Sequence, residues 1–255
     1  MANGTQVSEY PWYWRLKKAL PPSVKQNARR LADTVAATGL GSVNGGTATD
    51  RACLTLDDGP DPVVTTQVLT ALAARNARCT FFLLSDRAVR FPEITREIVA
   101  AGHEVALHGR DHRPVSAMSS GYAQRYLTDA RNTLQDIIQH PVTWYRPPYG
   151  SQSVRSFLGA RRAGLDVVVW SSDADDWVDR TAAEVVDRSL AGATPGAIML
   201  FHERLEPHPV RGAPTTSFDR AAVIAAVLDG MRDRGLTPST VGELAELRRT
   251  AWFRP

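Results

Sequence analysis

From residue 51 onward, short apolar runs alternate with longer stretches whose apolar positions recur every three or four residues. The short runs, rich in Val, Leu, Phe and Cys, read as buried strands at 52–56, 79–83, 104–107, 143–146, 167–170, 197–201 and 236–240. The longer stretches predict helices over 63–75, 93–101, 121–139, 153–163, 182–190 and 219–234. Gly102, Gly164 and Gly235 each follow a helix, where a left-handed C-cap is expected. Such alternation argues for parallel strands joined by crossover helices. The fold class is therefore α/β, a distorted, incomplete (β/α) barrel of about seven parallel strands. An open doubly wound sheet is the alternative.

Two regions follow from this pattern. Residues 51–255 form the barrel domain, and residues 1–50 form an N-terminal extension. Pro11, Pro21 and Pro22 punctuate the extension. A basic amphipathic helix is predicted over 23–37, with Ser23 as candidate N-cap, and 39–50 reads as a linker rich in Gly, Thr and Asn. Trp12, Tyr13 and Trp14 lie beside Arg15, Lys17 and Lys18, and Lys25, Arg29 and Arg30 follow. Basic residues with aromatic anchors suit the surface of an anionic membrane. The competing reading packs the aromatics on the barrel exterior and leaves the charges in water.

Composition narrows the function classes. The chain of 255 residues is 43% hydrophobic and 22% charged, as in ordinary soluble domains. Thirty Lys plus Arg against 27 Asp plus Glu leave +3, which gives no ground for a nucleic-acid partner. Cys53 and Cys79 each sit in a strand and read as buried thiols rather than a disulfide scaffold. The N-terminus lacks the basic-then-apolar order of a secretory signal, so the expected location is cytoplasmic, at the inner face of the membrane if the extension docks.

In a parallel barrel, chemistry gathers where strands end. The first strand is followed by Asp57-Asp58-Gly59-Pro60, the third by His108 and His112, the fourth by Arg146 and Tyr149, the fifth by Asp173, Asp176 and Trp177, and the sixth ends in Leu200-Phe201-His202. His108 and His112 are four apart, a spacing that puts two imidazoles on one face of a helical turn. With a carboxylate nearby they make an open, catalytic type of metal site. Asp57 and Asp58 can diverge past a strand end, one to a metal and one to a reacting water, or serve only as an Asp-Gly turn. Segment 203–218, with Pro207, Pro209 and Pro214, is either a functional loop or a surface insertion. Arg110, Arg113, Arg204 and Arg211 fall near the expected mouth, where they could hold an anionic substrate or simply be solvated.

Five ordered segments, LTLDDGPD, HGRDHRP, YRPPYG, WSSDADDW and LFH, resemble the motifs of the polysaccharide deacetylases of carbohydrate esterase family 4. The resemblance covers about residues 51–247. It implies a distorted (β/α) barrel with one divalent metal, most often zinc, held by Asp58, His108 and His112. It further implies Asp57 as base, Arg146 orienting that base, and His202 as general acid paired with Asp176. Tyr149 matches a position whose backbone N–H holds the oxyanion, Trp177 the groove wall and Leu200 the acyl pocket. One departure is Gly109, where the family has Ser or Thr, which removes a local hydrogen bond bracing that loop. Arg110 and Asp111 are also unusual there. The implied activity is a metal-dependent hydrolase removing an N-acetyl or other N-acyl group from an amino sugar or glycan. The alternatives are a deformylase or deacetylase of a lipid-linked or small biosynthetic glycoside and, more remotely, a non-catalytic carbohydrate-binding barrel.

Overall fold

The computed structural model describes residues 41–207 and 215–252. The predicted helix over 23–37, the aromatic and basic cluster before it, Pro209, Arg211 and Pro214 lie outside these residues. In chain order the elements are β1 (Ser42–Gly45), β2 (Arg51–Gly59), α1 (Val64–Ala73), β3 (Thr80–Leu84), α2 (Ser85–Arg90), α3 (Pro92–Ala100), β4 (Glu104–Gly109) and α4 (Ser120–Ile138). Then come β5 (Trp144–Tyr145), α5 (Val154–Arg162), β6 (Asp166–Val167), β7 (Ser172–Asp173), α6 (Ala182–Gly192), β8 (Ile198–His202), α7 (Arg220–Asp233), β9 (Thr237–Ser239) and β10 (Arg248–Thr250).

Seven parallel strands pair in the order β6-β5-β4-β3-β2-β8-β7, and β9 runs beside the start of β2. This is the distorted, incomplete barrel expected from the alternation. β6 and β7 are consecutive in the chain yet stand at opposite ends of that path, so residues 168–171 close the circle between them. Among the described residues no helix is long and apolar enough to cross a membrane.

Both faces of the strands are buried, which is why their sequences read as continuous apolar runs. Leu54, Leu56, Phe81, Leu83, Val105 and Leu107 belong to the large core shared with the helices. Cys53, Phe82, Ala106, Val168 and Ile198 form a second, smaller cluster inside the barrel. The alternation follows from successive residues of a strand pointing to opposite faces. Cys53 and Cys79 are buried free thiols, as expected.

The stretch expected to be a linker is structured. β1 lies within it, pairs antiparallel with β10, and buries Val43 completely against the inner cluster. It bridges Val168 and Ala197, so it plugs the base of the barrel near the point of closure. The pattern SVNG has one large apolar residue and composition typical of a turn, which hid its role. The run 167–170, read as one strand, is also different. The chain breaks into β6 and β7, which pair with β5 and β8 respectively.

Candidate active site

On the inner face of the barrel, residue character changes along each strand. β2 presents Cys53, then Thr55, then Asp57, and β4 presents Ala106, then His108. β8 presents Ile198, Leu200 and His202, and the β2–β8 register sets Thr55 beside Leu200 and Asp57 beside His202. The polar groups therefore converge at the C-terminal ends of the strands, where barrel sites are built.

Adjacent aspartates should point to opposite faces, yet both reach this rim. The β2–β3 register shifts between Asp57 and Gly59, and Asp58 adopts φ 70°. That left-handed backbone, uncommon outside glycine but tolerated by Asp, turns its carboxylate inward. Gly59 follows because a Cβ there would collide with the buried carboxylate of Glu203. His108 is the penultimate residue of β4, but His112 is not on a helix, as its spacing had suggested. It lies in a bend past the strand, reached through Gly109 at φ 121°.

Asp58, His108 and His112 each offer one ligand atom, all within 4.8 Å of one another. Asp58 Oδ1 stands 3.3 Å from His108 Nε2 and 3.2 Å from His112 Nε2. It is buried without a hydrogen-bond partner among the described residues, while Oδ2 accepts the Glu206 N–H at 3.2 Å. His108 Nδ1 meets the Arg146 carbonyl at 2.9 Å, which makes Nδ1 the donor there and turns Nε2 toward Asp58. Burial would raise the Asp58 carboxyl, but the two imidazoles hold it well below the usual range. Burial, with the neighbouring histidines, lowers His112 to about 4 against the pull of Asp58, so its ring is neutral. An orphaned carboxylate oxygen facing the Nε2 atoms of two imidazoles fits a divalent ion of the zinc type.

Beside these ligands lies a buried ion pair. Arg146 Nη1 donates to Asp57 Oδ1 at 2.7 Å and to Thr55 Oγ1 at 2.8 Å. Its guanidinium carbon sits 4.0 Å from the centre of the Phe82 ring. Arg146 thus orients Asp57 with its side chain and His108 with its carbonyl. Asp57 Oδ2 is 3.8 Å from His108 Nε2, next to the ligand cluster.

Opposite, His202 Nδ1 and Asp176 Oδ1 are 2.7 Å apart, and Asp176 Oδ2 accepts the His202 backbone N–H at 2.8 Å. Burial alone would lower His202. Asp176, through its charge and hydrogen bond, with Asp58 and Asp57 adding, raises it to about 9. Arg220 was not foreseen. Its guanidinium donates to Asp176 Oδ2 at 2.8 Å and to the carbonyls of His202 and Asp176 at 3.0 and 3.2 Å. It lies 44 positions after Asp176 at the start of a helix, and no local pattern marks it. Glu203 was also missed. It is fully buried against Thr65, and burial pushes its carboxyl up to about 8. Thr55 was legible in principle, two residues before Asp57 on the same strand face.

The remaining expected residues lie around this centre. The Tyr149 ring meets the His112 ring edge-on at 4.2 Å, with its backbone at φ 59°. Tyr149 and Trp177 are 38% and 43% exposed and offer aromatic surface at the rim. Leu200 is buried one step below His202 on the inner face. Of the four arginines expected at the mouth, the three that are described each stand beside a carboxylate. Arg110 meets Asp86, Arg113 meets Asp111, and Arg204 meets Glu206. Each carboxylate neutralises part of the positive charge at the mouth, which weakens the pull on an anionic substrate.

Comparison with known proteins agrees with the geometry. Residues 44–168 match a family model described as polysaccharide deacetylase. A chitooligosaccharide deacetylase of Sinorhizobium fredii is 33% identical over 192 residues, covering 74% of this chain and 89% of that protein. The structure of a peptidoglycan deacetylase from Bacillus subtilis superposes with TM-score 0.64 at 28% identity, over 76% of this chain and 89% of that one. A family 4 pseudoenzyme from Bacillus anthracis shares the fold, with TM-score 0.70 at 20% identity, over 82% and 72% of the two chains.

Proposed function

The chain belongs to the polysaccharide deacetylase family, and on that premise we propose that it removes N-acetyl groups from an amino-sugar glycan with one divalent ion, zinc, at its centre. The observation that carries this reading is the convergence of Asp58 Oδ1, His108 Nε2 and His112 Nε2 directly beside the Asp57–Arg146 pair. A shared fold does not carry it, since a pseudoenzyme has the same barrel; the side chains do.

Asp58, His108 and His112 would hold the ion, which when bound polarises the acyl carbonyl and acidifies water. Asp57 Oδ1 is occupied by Arg146, which leaves Oδ2 to take the proton of the attacking water. The amine leaves poorly as an anion, so it must be protonated. His202 is engaged at Nδ1 by Asp176, and a group raised to about 9 keeps a proton on Nε2 at neutral pH for that nitrogen. Arg220 steadies Asp176 from behind. Tyr149 and Trp177 supply aromatic faces for sugar rings, and Leu200 an apolar contact for the acyl methyl.

The test is mass spectrometry of zinc-loaded protein with N-acetylated chitooligosaccharides, peptidoglycan fragments, and nucleotide- and lipid-linked N-acyl sugars. Loss of acetyl from an oligosaccharide, with acetate released, supports the reading. Loss of formyl alone, or no reaction with any of them, refutes it. For location, Trp12, Tyr13 and Trp14 with the adjacent basic residues support contact with an anionic membrane at the cytoplasmic face. Co-sedimentation with anionic liposomes, with and without residues 1–40, decides this. The truncation must spare β1.

A further inference from the structure

The two histidines of the ligand cluster are held in different ways. His108 belongs to β4 and has its Nδ1 on the Arg146 carbonyl. His112 lies beyond the strand, so its position depends on what holds the turn at residues 109–113. A side chain at 109 cannot brace that turn, because the backbone sits at φ 121° and a Cβ would press within 3.0 Å of the Asp111 carbonyl.

The turn is instead clasped at Asp111. The Tyr126 hydroxyl accepts the Asp111 N–H at 3.2 Å and donates to Asp111 Oδ1 at 2.8 Å. Asp111 Oδ1 also accepts the backbone N–H of Arg113 at 3.2 Å, an Asx turn that spans His112. The Arg113 Nε donates to both carboxylate oxygens, at 2.8 and 3.0 Å. Outside the clasp, the Arg110 carbonyl accepts the Asp86 N–H at 3.0 Å. Tyr126 is anchored in the main core on the 19-residue helix α4, so it is a rigid post.

We propose that Tyr126 and Asp111, with Arg113, are positioning residues for His112, and that this clasp sets the affinity of the centre for its ion. The inference rests on the metal site proposed above. A ligand held only by a loop must be ordered when the ion binds, and that entropy opposes binding unless the loop is already fixed. Partners bonded directly to a ligand are worth about 10- to 100-fold in metal affinity; His112 Nδ1 has none among the described residues, so its position rests on the backbone that the clasp holds.

The experiment measures zinc dissociation constants by chelator competition on the full chain for wild type, Tyr126→Phe, Asp111→Ala and the double variant. Melting of the metal-free proteins is followed alongside. Tyr126→Phe keeps the ring and its packing and removes one hydroxyl. Each single variant is expected to bind zinc about 10-fold more weakly, the lower end of that range, because the clasp acts through the backbone of His112. The double variant should fall well short of the product, because both changes open the same clasp. Zinc affinity within about twofold of wild type in both single variants would overturn the proposal, with or without a change in melting. Additive losses in the double variant would overturn the shared clasp. Wild-type protein that binds no zinc would instead refute the metal site itself, and the clasp with it.

Discussion

The lower and upper halves of the barrel interior are made by the same strands but obey different rules. Below, Val43, Cys53, Phe82, Ala106, Val168 and Ile198 form an apolar cluster. Two to four residues further along, the same faces carry Thr55, Asp57, His108 and His202. In the lower half, packing alone suffices. In the upper half each buried charge needs a specific partner, because an unpaired one costs several kcal/mol. Arg146 shows how this is met. It is fully buried, yet its groups reach Asp57, Thr55, His108 and the face of Phe82, which marks the boundary between the halves. Asp58, Tyr149 and Asp175 have positive φ at the upper rim, and Asn76, Gln139 and Glu246 have it in turns elsewhere; at Asp58 that backbone is what brings a second carboxylate to the site.

Substitutions can break this division at either end. The largest effect is expected from Arg146→Met, which strands the Asp57 carboxylate. It should abolish turnover and cost about 3 kcal/mol or more, a fall in Tm of roughly 10 °C. Adding Asp57→Asn should recover most of the Tm and none of the activity; thermal scans and acetate release check both. Next, His202→Ala should lower kcat by about 100- to 10,000-fold on unactivated amides and far less where the leaving group needs no proton. Equal losses on both substrates would remove His202 from the acid role. In wild type, activity should decline as pH rises and His202 loses its proton. Without metal that occurs near 9; a nearby cation would bring the limb lower. The smallest effect belongs to the lower half. Ile198→Val should cost about 0.5–1.5 kcal/mol of stability and leave kcat unchanged.

Much of the rim was legible because strand ends are marked by abrupt changes from apolar to titratable residues. Asp57, Asp58, His108, Arg146 and His202 all sit at such steps, and the five ordered segments named their family. Six of the seven described helices were legible from their period, the six-residue α2 being too short to show one, and Gly102, Gly164 and Gly235 do take the left-handed backbone, at φ 82°, 74° and 71°. What escaped depends on contacts between distant segments. Arg220 reaches Asp176 across 44 residues, and β1 gains its meaning only from β10 and Val168. The inward turn of Asp58 is a backbone property that side-chain pattern does not encode. The pairing of Arg110, Arg113 and Arg204 could not be read from charge alone, since surface charges choose partners in space.

The central claim is a division of labour between two neighbours: Asp58 holds the ion and Asp57 takes the proton. Zinc content and turnover measured on one preparation of Asp57→Asn test it most directly. The expected result is stoichiometric zinc with kcat lowered by about 100- to 10,000-fold. Loss of the zinc, or turnover close to wild type, would contradict it.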